Sequence, residues 1–329
     1  MIQYTKMQDI EYLKDNYDYL VGWGVGRDEF LGRYNPSLYH LDYMIDGRDH
    51  CVGQIKCGMK ISPKSVLNEI KDKGTICFII YPNPELEIIQ QIQEFVTDFS
   101  VIVSRLVNCG EMVSKLSFST DNEDRILLNA IKCMKVERPY YVDIGVCHPV
   151  IRNNTYLFYH EGYTEGVLIE PNPIMCGLAE LYRPKNKIVK IGACGGEGGT
   201  MQYYQSSVSA YTGYNTFDKE LALKRGFDLQ NGLDIPVHNI NQIFEENCVR
   251  CPDVIDIDTE GMDFELLQAL DTERFRVKLI CTEICTSDDE FDDMMKKKRY
   301  IHFMRTSENG IYLAEEYIDK FHETVSSFV

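Results

Sequence analysis

Three short apolar runs in the C-terminal half of the chain each end in an acidic residue. The runs are YYVDIGVCHP (140–149), GVLIEPNP (166–173) and DVIDIDTEGMDFELL (253–267). Apolar runs of this length predict strands that are buried on both faces of a parallel sheet. The carboxyl ends of such strands form the edge where open α/β folds bind ligands. We therefore expect Asp143, Glu170 and Asp258 to lie in one crevice.

The spacing of these acids and the first turn indicate what the crevice binds. Asp143 and Glu170 are about 27 residues apart, which is enough for one helical crossover between parallel strands. An acid at the end of the second strand can accept hydrogen bonds from ribose hydroxyls. The first turn, GVCHP at 145–149, lacks the G-x-G-x-x-G pattern that cradles a pyrophosphate. An acid followed by a single turn glycine instead favours S-adenosylmethionine (SAM), which has no phosphate and presents a cationic sulfonium and ammonium.

The run from Tyr140 to about Tyr312 carries a series of motifs in a fixed order. They are VDIGVCHPVIRNNTYLFYHEGYTEGVLIEPNP, YRPKNKIVKIGACGGEGGTMQYY, the NTF at 215–217, IPVHNINQIFEE, DIDTEGMDFELL, VKLICTEI and a closing pattern with Thr306 and Asn309. This series resembles the FkbM-type SAM-dependent methyltransferases. The resemblance implies a class I SAM-dependent methyltransferase fold, SAM as the cofactor, and O-methylation of a hydroxyl on a sugar or glycoconjugate.

The chain departs from the family pattern at two places. Val146-Cys147 stands where many relatives have Ala-Asn, and Ala193-Cys194 offers no carboxylate to hold the amino group of adenine. The second departure affects how the adenine is placed.

The predicted cofactor contacts follow from the motifs and the resemblance. They are Asp143, Gly145, Asn154, Thr155, Glu170, Asn172, Ala193 and Asp258. Within this set, Asn154 and Thr155 either hold the carboxylate of SAM or cap the helix that follows them.

A hydroxyl acceptor also needs a base at the carboxyl edge of the sheet. The candidates are Asp258, Glu260, Glu283 and His148. The two acids of the DTEG turn either face the acceptor or cap the N-terminus of the next helix. His148 has an ordinary pKa that suits a base at neutral pH, but it is equally suited to hold the turn backbone before Pro149.

The first hundred residues repeat the α/β pattern on a smaller scale. DYLVGWG, LDYMIDG, TICFIIYP and FSVIVSR read as strands between helix-like stretches, which predicts a second Rossmann-like unit. Its first turn has Arg27 where a dinucleotide fingerprint has its third glycine, and Asp46 follows at about the distance of a ribose acid. The unit resembles the Rossmann-like domains that precede transferases in surface-sugar pathways. It is either a ligand-free scaffold or homodimerisation element, or a site for a nucleotide or nucleotide-sugar.

Length and composition agree with two globular domains. The chain has 329 residues, of which 44% are hydrophobic and 26% charged. We expect an N-terminal Rossmann-like domain at 1–110, a linker helix region at 111–135 and a methyltransferase domain at 136–329.

The formal net charge of −17 argues against a nucleic-acid partner, because such binding depends on Lys and Arg that neutralise phosphates. The basic cluster at 296–299 has another explanation. Ser287 and Glu290 form a capping box, so the lysines fall in the last turn of one helix, where the helix dipole favours them.

Cysteine usage and hydropathy set further limits. The twelve cysteines fall mostly singly within apolar runs, so we expect no disulfides. Cys248 and Cys251 form one close pair, but a zinc ribbon with Cys281 and Cys285 would need two tight pairs, and we expect no metal site. No segment approaches the roughly 20 apolar residues of a membrane span, and the N-terminus has no signal-peptide core. These features predict a cytoplasmic protein.

Two classes of function follow. The first is a SAM-dependent O-methyltransferase. The alternative is a nucleotide-binding or partner-binding protein whose methyltransferase fold no longer catalyses, and the altered Val146-Cys147 turn keeps this alternative open. A nicotinamide oxidoreductase built on the N-terminal unit is a third reading, and the broken glycine fingerprint argues against it.

Overall fold

The computed structural model describes residues 2–5, 10–24, 41–56, 58–82, 85–103, 117–206, 213–284 and 287–319. The chain divides into two compact units, Met1–Glu111 and Met112–Val329. Arg27 and Cys285, which the sequence analysis singled out, lie outside the described residues.

The N-terminal unit is built on a twisted, mainly parallel sheet. Its strands are β1 (Ile2–Tyr4), β2 (Tyr19–Trp23), β3 (Tyr43–Ile45), β4 (Ile55–Lys56), β5 (Met59–Ser62), β6 (Ile76–Ile80) and β7 (Phe99–Val103). They are arranged in the order β1-β7-β6-β2-β3-β5-β4, and only the β4–β5 pair is antiparallel. Strands β5, β3, β2, β6 and β7 therefore reproduce the Rossmann order 3-2-1-4-5.

Complete burial explains why the central strands of this unit are almost entirely apolar. Every residue of β6 and β7 is buried, so neither strand shows an alternating polar face. The helices are α1 (Ile10–Asn16), α2 (Leu67–Ile70) and α3 (Glu85–Gln93). Asp46, the predicted ribose acid, is buried just after β3, and its two carboxylate oxygens accept hydrogen bonds from the Arg48 guanidinium at 2.9 Å each.

The C-terminal unit is built on a mixed sheet, which also has seven strands. Its strands are β8 (Tyr141–Ile144), β9 (Gly166–Ile169), β10 (Lys187–Val189), β14 (Val254–Ile257), β15 (Leu279–Glu283), β16 (Tyr300–Arg305) and β17 (Asn309–Ala314). Their spatial order is β10-β9-β8-β14-β15-β17-β16, with β17 antiparallel to both of its neighbours. Numbered along the chain, this is 3-2-1-4-5-7-6, and the order reverses between β8 and β14. The strand orders of the two sheets confirm the predicted α/β class with two Rossmann-like units.

A small second sheet is inserted between β10 and β14. It consists of β11 (Gly192–Cys194), β12 (Gly199–Tyr203) and β13 (Leu233–Asn239), in the order β11-β13-β12. We call residues 192–239 the inserted segment. It contributes residues to the carboxyl edge of the main sheet, and the apolar patterning of the sequence did not predict it.

The helices of the C-terminal unit cover the sheet. They are α4 (Glu123–Cys133), α5 (Tyr156–His160), α6 (Pro173–Tyr182), α7 (Lys219–Lys224), α8 (Ile240–Asn247), α9 (Asp263–Ala269) and α10 (Asp288–Lys297). Helix α4 buries Leu127, Leu128 and Ile131 in a core cluster with strand residues of the C-terminal sheet. Helix α10 begins as predicted, because the Ser287 hydroxyl accepts a hydrogen bond from the Glu290 N–H at 3.3 Å.

None of the helices that the structure describes has both the length and the apolar character that a membrane span requires.

Candidate active site

A cavity lies where the strand order reverses, at the carboxyl ends of β8, β9 and β14. The space between its walls is about 510 Å³, part of it open to solvent. The predicted residues that line it are Gly145, Glu170, Asn172, Ala193, Asp258 and Glu260. The structure thus brings together residues from three strand ends, the first and last of which are more than 100 positions apart in the chain.

Gly145 allows the ends of β8 and β14 to converge. Its φ is +87°, and a Cβ placed on it would lie 1.8 Å from the carbonyl oxygen of Asp258. Its N–H donates to the Ile169 carbonyl at 3.0 Å, while the Asp258 N–H donates to the Ile144 carbonyl at 3.0 Å. Only glycine fits at this position, because any side chain would separate the two turns.

Glu170 is buried at the end of β9 and holds two turns through its side chain. One carboxylate oxygen accepts from the Cys147 N–H and the other from the Asn172 N–H, each at 2.7 Å. Burial raises the pKa of Glu170 to about 8, although these two hydrogen bonds oppose the shift. Asn172 caps α6, since its side-chain oxygen accepts from the Ile174 N–H at 3.0 Å.

The turn after β14 presents Asp258 and Glu260 to the cavity. Glu260 has a φ of +56° and Gly261 a φ of +118°. A left-handed glutamate is uncommon and strained, and such strain is often found at functional sites. The carboxylate of Asp263 accepts from the backbone N–H groups of Thr259 and Gly261, at 2.9 and 3.1 Å. Asp263 therefore stabilises the turn, which leaves the other two acids facing the cavity.

Asp258 and Glu260 differ in their partners. Glu260 forms an ion pair with Arg225, and its carbonyl accepts from the Thr216 hydroxyl at 2.6 Å. Within the described ranges, the Asp258 carboxylate has no hydrogen-bond donor. Burial raises the pKa of Asp258 well above its ordinary value, and the nearby carboxylates of Asp263, Glu283 and Glu260 raise it further.

Glu283 ends β15 and lies beside this acidic group, outside the cavity lining. Burial raises its pKa to about 8, and Asp263 and Glu260 add to the shift.

Asp143 and its neighbours lie beneath the cavity and do not line it. Asp143 is 1% exposed and accepts from the Thr155 hydroxyl at 2.5 Å and from the Asn153 amide at 3.0 Å. It also faces the fully buried guanidinium of Arg183, at 3.6 Å. Burial raises the pKa of Asp143, while Arg183 opposes the shift.

Asn154 also binds a buried acid. Its amide donates at 3.1 Å to Asp256, whose register partner on β8 is Asp143. The cap of α5 comes from Asn153, whose side-chain oxygen accepts from the Tyr156 N–H at 2.7 Å. Asn154 and Thr155 thus bind buried acids in this structure, and their predicted contact with a cofactor carboxylate stays a prediction.

His148 is buried beside Tyr182, away from the cavity lining. Its Nδ1 accepts from the N–H groups of Val150 and Ile151, at 3.2 and 3.1 Å. These contacts are those of a residue that holds the turn backbone, which was the second of the two readings of His148.

Several site residues were not identified from the sequence. Arg183, Asp256, Arg225, Tyr203 and Asn215 all contact the predicted residues or line the cavity. Asp256 carried a usable signal, because the I-D-I-D alternation in DVIDID predicts that it lies on the same strand face as Asp258. Arg183 and Arg225 stand in ordinary polar stretches and carry none.

Among the residues that the structure describes, no group of three or more His, Cys, Asp and Glu side chains is arranged to hold a metal ion.

The strand order and the acid-lined cavity at its switch point are those of a methyltransferase fold. The family model described as the methyltransferase FkbM domain matches residues 143–307, which is half of the chain. The protein belongs to the FkbM methyltransferase family. The match begins at 143, so the resemblance of the N-terminal unit to surface-sugar pathway proteins stays a prediction.

Two other comparisons do not add to the family assignment. The structure described as methyltransferase FkbM from Methylobacillus flagellatus KT is 12% identical, and the match covers 92% of each chain with a TM-score of 0.32. The curated proteins contain no significant match. The assignment to the family therefore depends on the domain match.

We predict that Gly145→Ala destabilises the C-terminal unit by more than the roughly 1–2 kcal/mol of left-handed strain alone, because its Cβ would collide with a backbone carbonyl. Gly162→Ala is the matched control, since Gly162 has a φ of +92° but nothing within 4 Å of its added Cβ. Urea unfolding followed by far-UV circular dichroism measures both. Equal losses in the two variants would contradict the steric argument.

Proposed function

We propose that this protein is a SAM-dependent O-methyltransferase that acts on a hydroxyl of a sugar or glycoconjugate. One observation carries the proposal. The same cavity is lined by Glu170, at the strand end where a ribose acid is expected, and by the acids Asp258 and Glu260. Membership in the FkbM methyltransferase family supports methyl transfer as the reaction. The sugar hydroxyl as acceptor is supported by the family resemblance alone.

The lining of the cavity suits the charge of SAM. The charged side chains in its lining are the carboxylates of Glu170, Asp258 and Glu260, which suit a ligand with a sulfonium and an ammonium group.

Named residues can hold each part of the cofactor. Glu170 would accept hydrogen bonds from the ribose hydroxyls. The adenine would lie between apolar side chains of the lining, among them Met175, Ile191 and Phe217, because Ala193 provides no acid for its amino group. The Cys147 N–H already binds Glu170, so the altered Val146-Cys147 turn still orients the ribose acid.

Asp258 is the best placed base. When bound, SAM supplies an electrophilic methyl group on its sulfonium. The protein must hold the acceptor oxygen in line with that methyl, and positioning of this kind is worth roughly 7–11 kcal/mol. The Asp258 carboxylate would accept the proton that the acceptor hydroxyl loses.

The other candidates have competing partners. Glu260 is paired with Arg225, Glu283 lies outside the lining, and His148 accepts two backbone hydrogen bonds through Nδ1. Burial and the neighbouring carboxylates raise the pKa of Asp258, which increases its affinity for the proton of the acceptor.

The remaining sequence predictions concern partners and location. A nucleotide-sugar at the N-terminal unit, a homodimer, a cytoplasmic location and the absence of NAD-dependent redox activity stay predictions.

We predict that the full chain binds S-adenosylhomocysteine (SAH) in calorimetry and that Glu170 and Asp258 have separable roles. Glu170→Ala should weaken SAH binding about 10- to 150-fold, because a charge-assisted hydrogen bond contributes roughly 1.5–3 kcal/mol. Asp258→Asn should bind SAH almost normally and lower methyl transfer by roughly 100- to 10,000-fold, measured with methyl-labelled SAM on a panel of sugars and glycans. Glu180→Ala, which removes an exposed acid of α6, is the control.

Two results would contradict this account. Binding of NAD without binding of SAH by the unmodified chain would exclude a SAM enzyme. Equal loss of SAH affinity in the Glu170 and Asp258 variants would make Asp258 a cofactor-binding or structural residue.

SAH affinity is also expected to depend on pH. With its pKa raised to about 8, Glu170 is largely protonated at pH 6, whereas ribose hydroxyls donate best to the ionised carboxylate. Affinity should therefore increase by up to about tenfold per pH unit between about pH 6 and 8 and level off above that. Calorimetry over this range measures it, and Glu170→Gln should give a flatter profile. An unchanged slope in Glu170→Gln would assign the dependence to another group.

A further inference from the structure

Asn215 has an amide group that the described part of the protein does not satisfy. Its side chain is 5% exposed and lines the cavity. The side-chain oxygen accepts from the Ser206 N–H at 3.0 Å, whereas Nδ2 has no hydrogen-bond partner among the described residues. A buried amide donor without an acceptor is unfavourable, so a ligand that supplies the acceptor would gain affinity.

The position of Asn215 is fixed by its neighbours in the inserted segment. A Cβ on Gly213 would lie 3.6 Å from the sulfur of Cys147, in the turn after β8. The Thr216 hydroxyl donates to the Glu260 carbonyl at 2.6 Å. Asn215 therefore extends from a stretch that crosses the cavity between the first turn of the unit and the DTEG turn.

The apolar residue of the same stretch, Phe217, contacts Tyr203 and Gly192. The rings of Phe217 and Tyr203 are 4.9 Å apart, and a Cβ on Gly192 would lie 2.5 Å from the Phe217 ring. Phe217 is thus the apolar side chain that this stretch contributes to the cavity lining, and Asn215 is the polar one.

The ligand group that suits this donor is a carboxylate. The charged lining of the cavity consists of acids, which repel the anionic end of an amino acid unless a donor compensates. Asn154 and Thr155, predicted for this role, are bound to Asp256 and Asp143. We propose that the Asn215 Nδ2 donates a hydrogen bond to the carboxylate of the amino-acid portion of SAM and SAH. This inference rests on the proposed function.

The test compares two ligands that differ in this portion alone. SAH carries the amino acid, whereas 5′-methylthioadenosine has the same adenosine and thioether without it. Asn215→Asp keeps the oxygen that accepts from Ser206 and replaces the donor by an acceptor. In calorimetry with the full chain, this variant should lose about 10- to 150-fold in affinity for SAH and at most about twofold for methylthioadenosine.

Two further variants separate charge and folding from the donor itself. Asn231→Asp adds the same charge at an exposed position of the inserted segment and should change neither affinity. Asn215→Ala removes the donor without adding charge. It should also lower the affinity for SAH selectively, but by a smaller factor than Asn215→Asp.

Tyr203 provides the control for an indirect role. Burial raises the pKa of the Tyr203 phenol and the nearby Asn215 amide opposes that shift, but the Asn215 Nδ2 does not form a hydrogen bond with it. If Asn215 acted only by orienting Tyr203, then Tyr203→Phe and Asn215→Asp would weaken both ligands alike. That result, or unchanged SAH affinity in Asn215→Asp, would overturn the inference while leaving SAH binding by the unmodified chain intact. Failure of the unmodified chain to bind SAH would instead overturn the proposed function and the inference with it.

Discussion

The close approach of Gly145 to the Asp258 carbonyl is the contact on which the site depends. The backbone turns after β8 and β14 meet there because no side chain separates them. The Gly145 N–H binds the end of β9 at the same point. Three strand ends are thus held together by main-chain groups, and the acids that follow them face one cavity. The turn with Val146-Cys147 takes part in this arrangement, because the Cys147 N–H donates to Glu170.

The acids of the C-terminal unit fall into two layers that differ in their partners. Asp143 and Asp256 lie side by side within the sheet, where Arg183 and the side chains of Asn153 and Asn154 satisfy them. Glu170, Asp258 and Glu260 lie above them at the cavity. Depth in the sheet, rather than residue type, therefore separates acids that support the turn from acids that can meet a ligand.

The apolar runs predicted the fold class and the positions of Glu170 and Asp258, because a short strand that ends in an acid places that acid at the sheet edge. The same logic misplaced Asp143 relative to the cavity. A strand end predicted from sequence is uncertain by a residue or two, and one residue decides whether a side chain lies at the edge or one layer below it. The buried partner Arg183 is about 40 positions from Asp143 and belongs to no periodic pattern, so no local signal could identify it. The inserted segment was missed for another reason, since β11 has only three residues and β12 and β13 are partly exposed and not continuously apolar.

The buried acids also change the proton balance of folding. Glu170 and Glu283 each have a pKa raised from the ordinary 4.5 to about 8, so both hold protons at neutral pH in the folded chain and lose them when it unfolds. The folded protein is therefore less negative than its formal charge of −17 suggests. Because the folded state binds more protons, the stability linked to these two groups is fully present below about pH 4.5 and is lost as the pH rises through about 8. A ligand that donates hydrogen bonds to the ionised carboxylate of Glu170 would expel its proton and oppose that trend, which couples occupancy of the site to the alkaline stability of the unit.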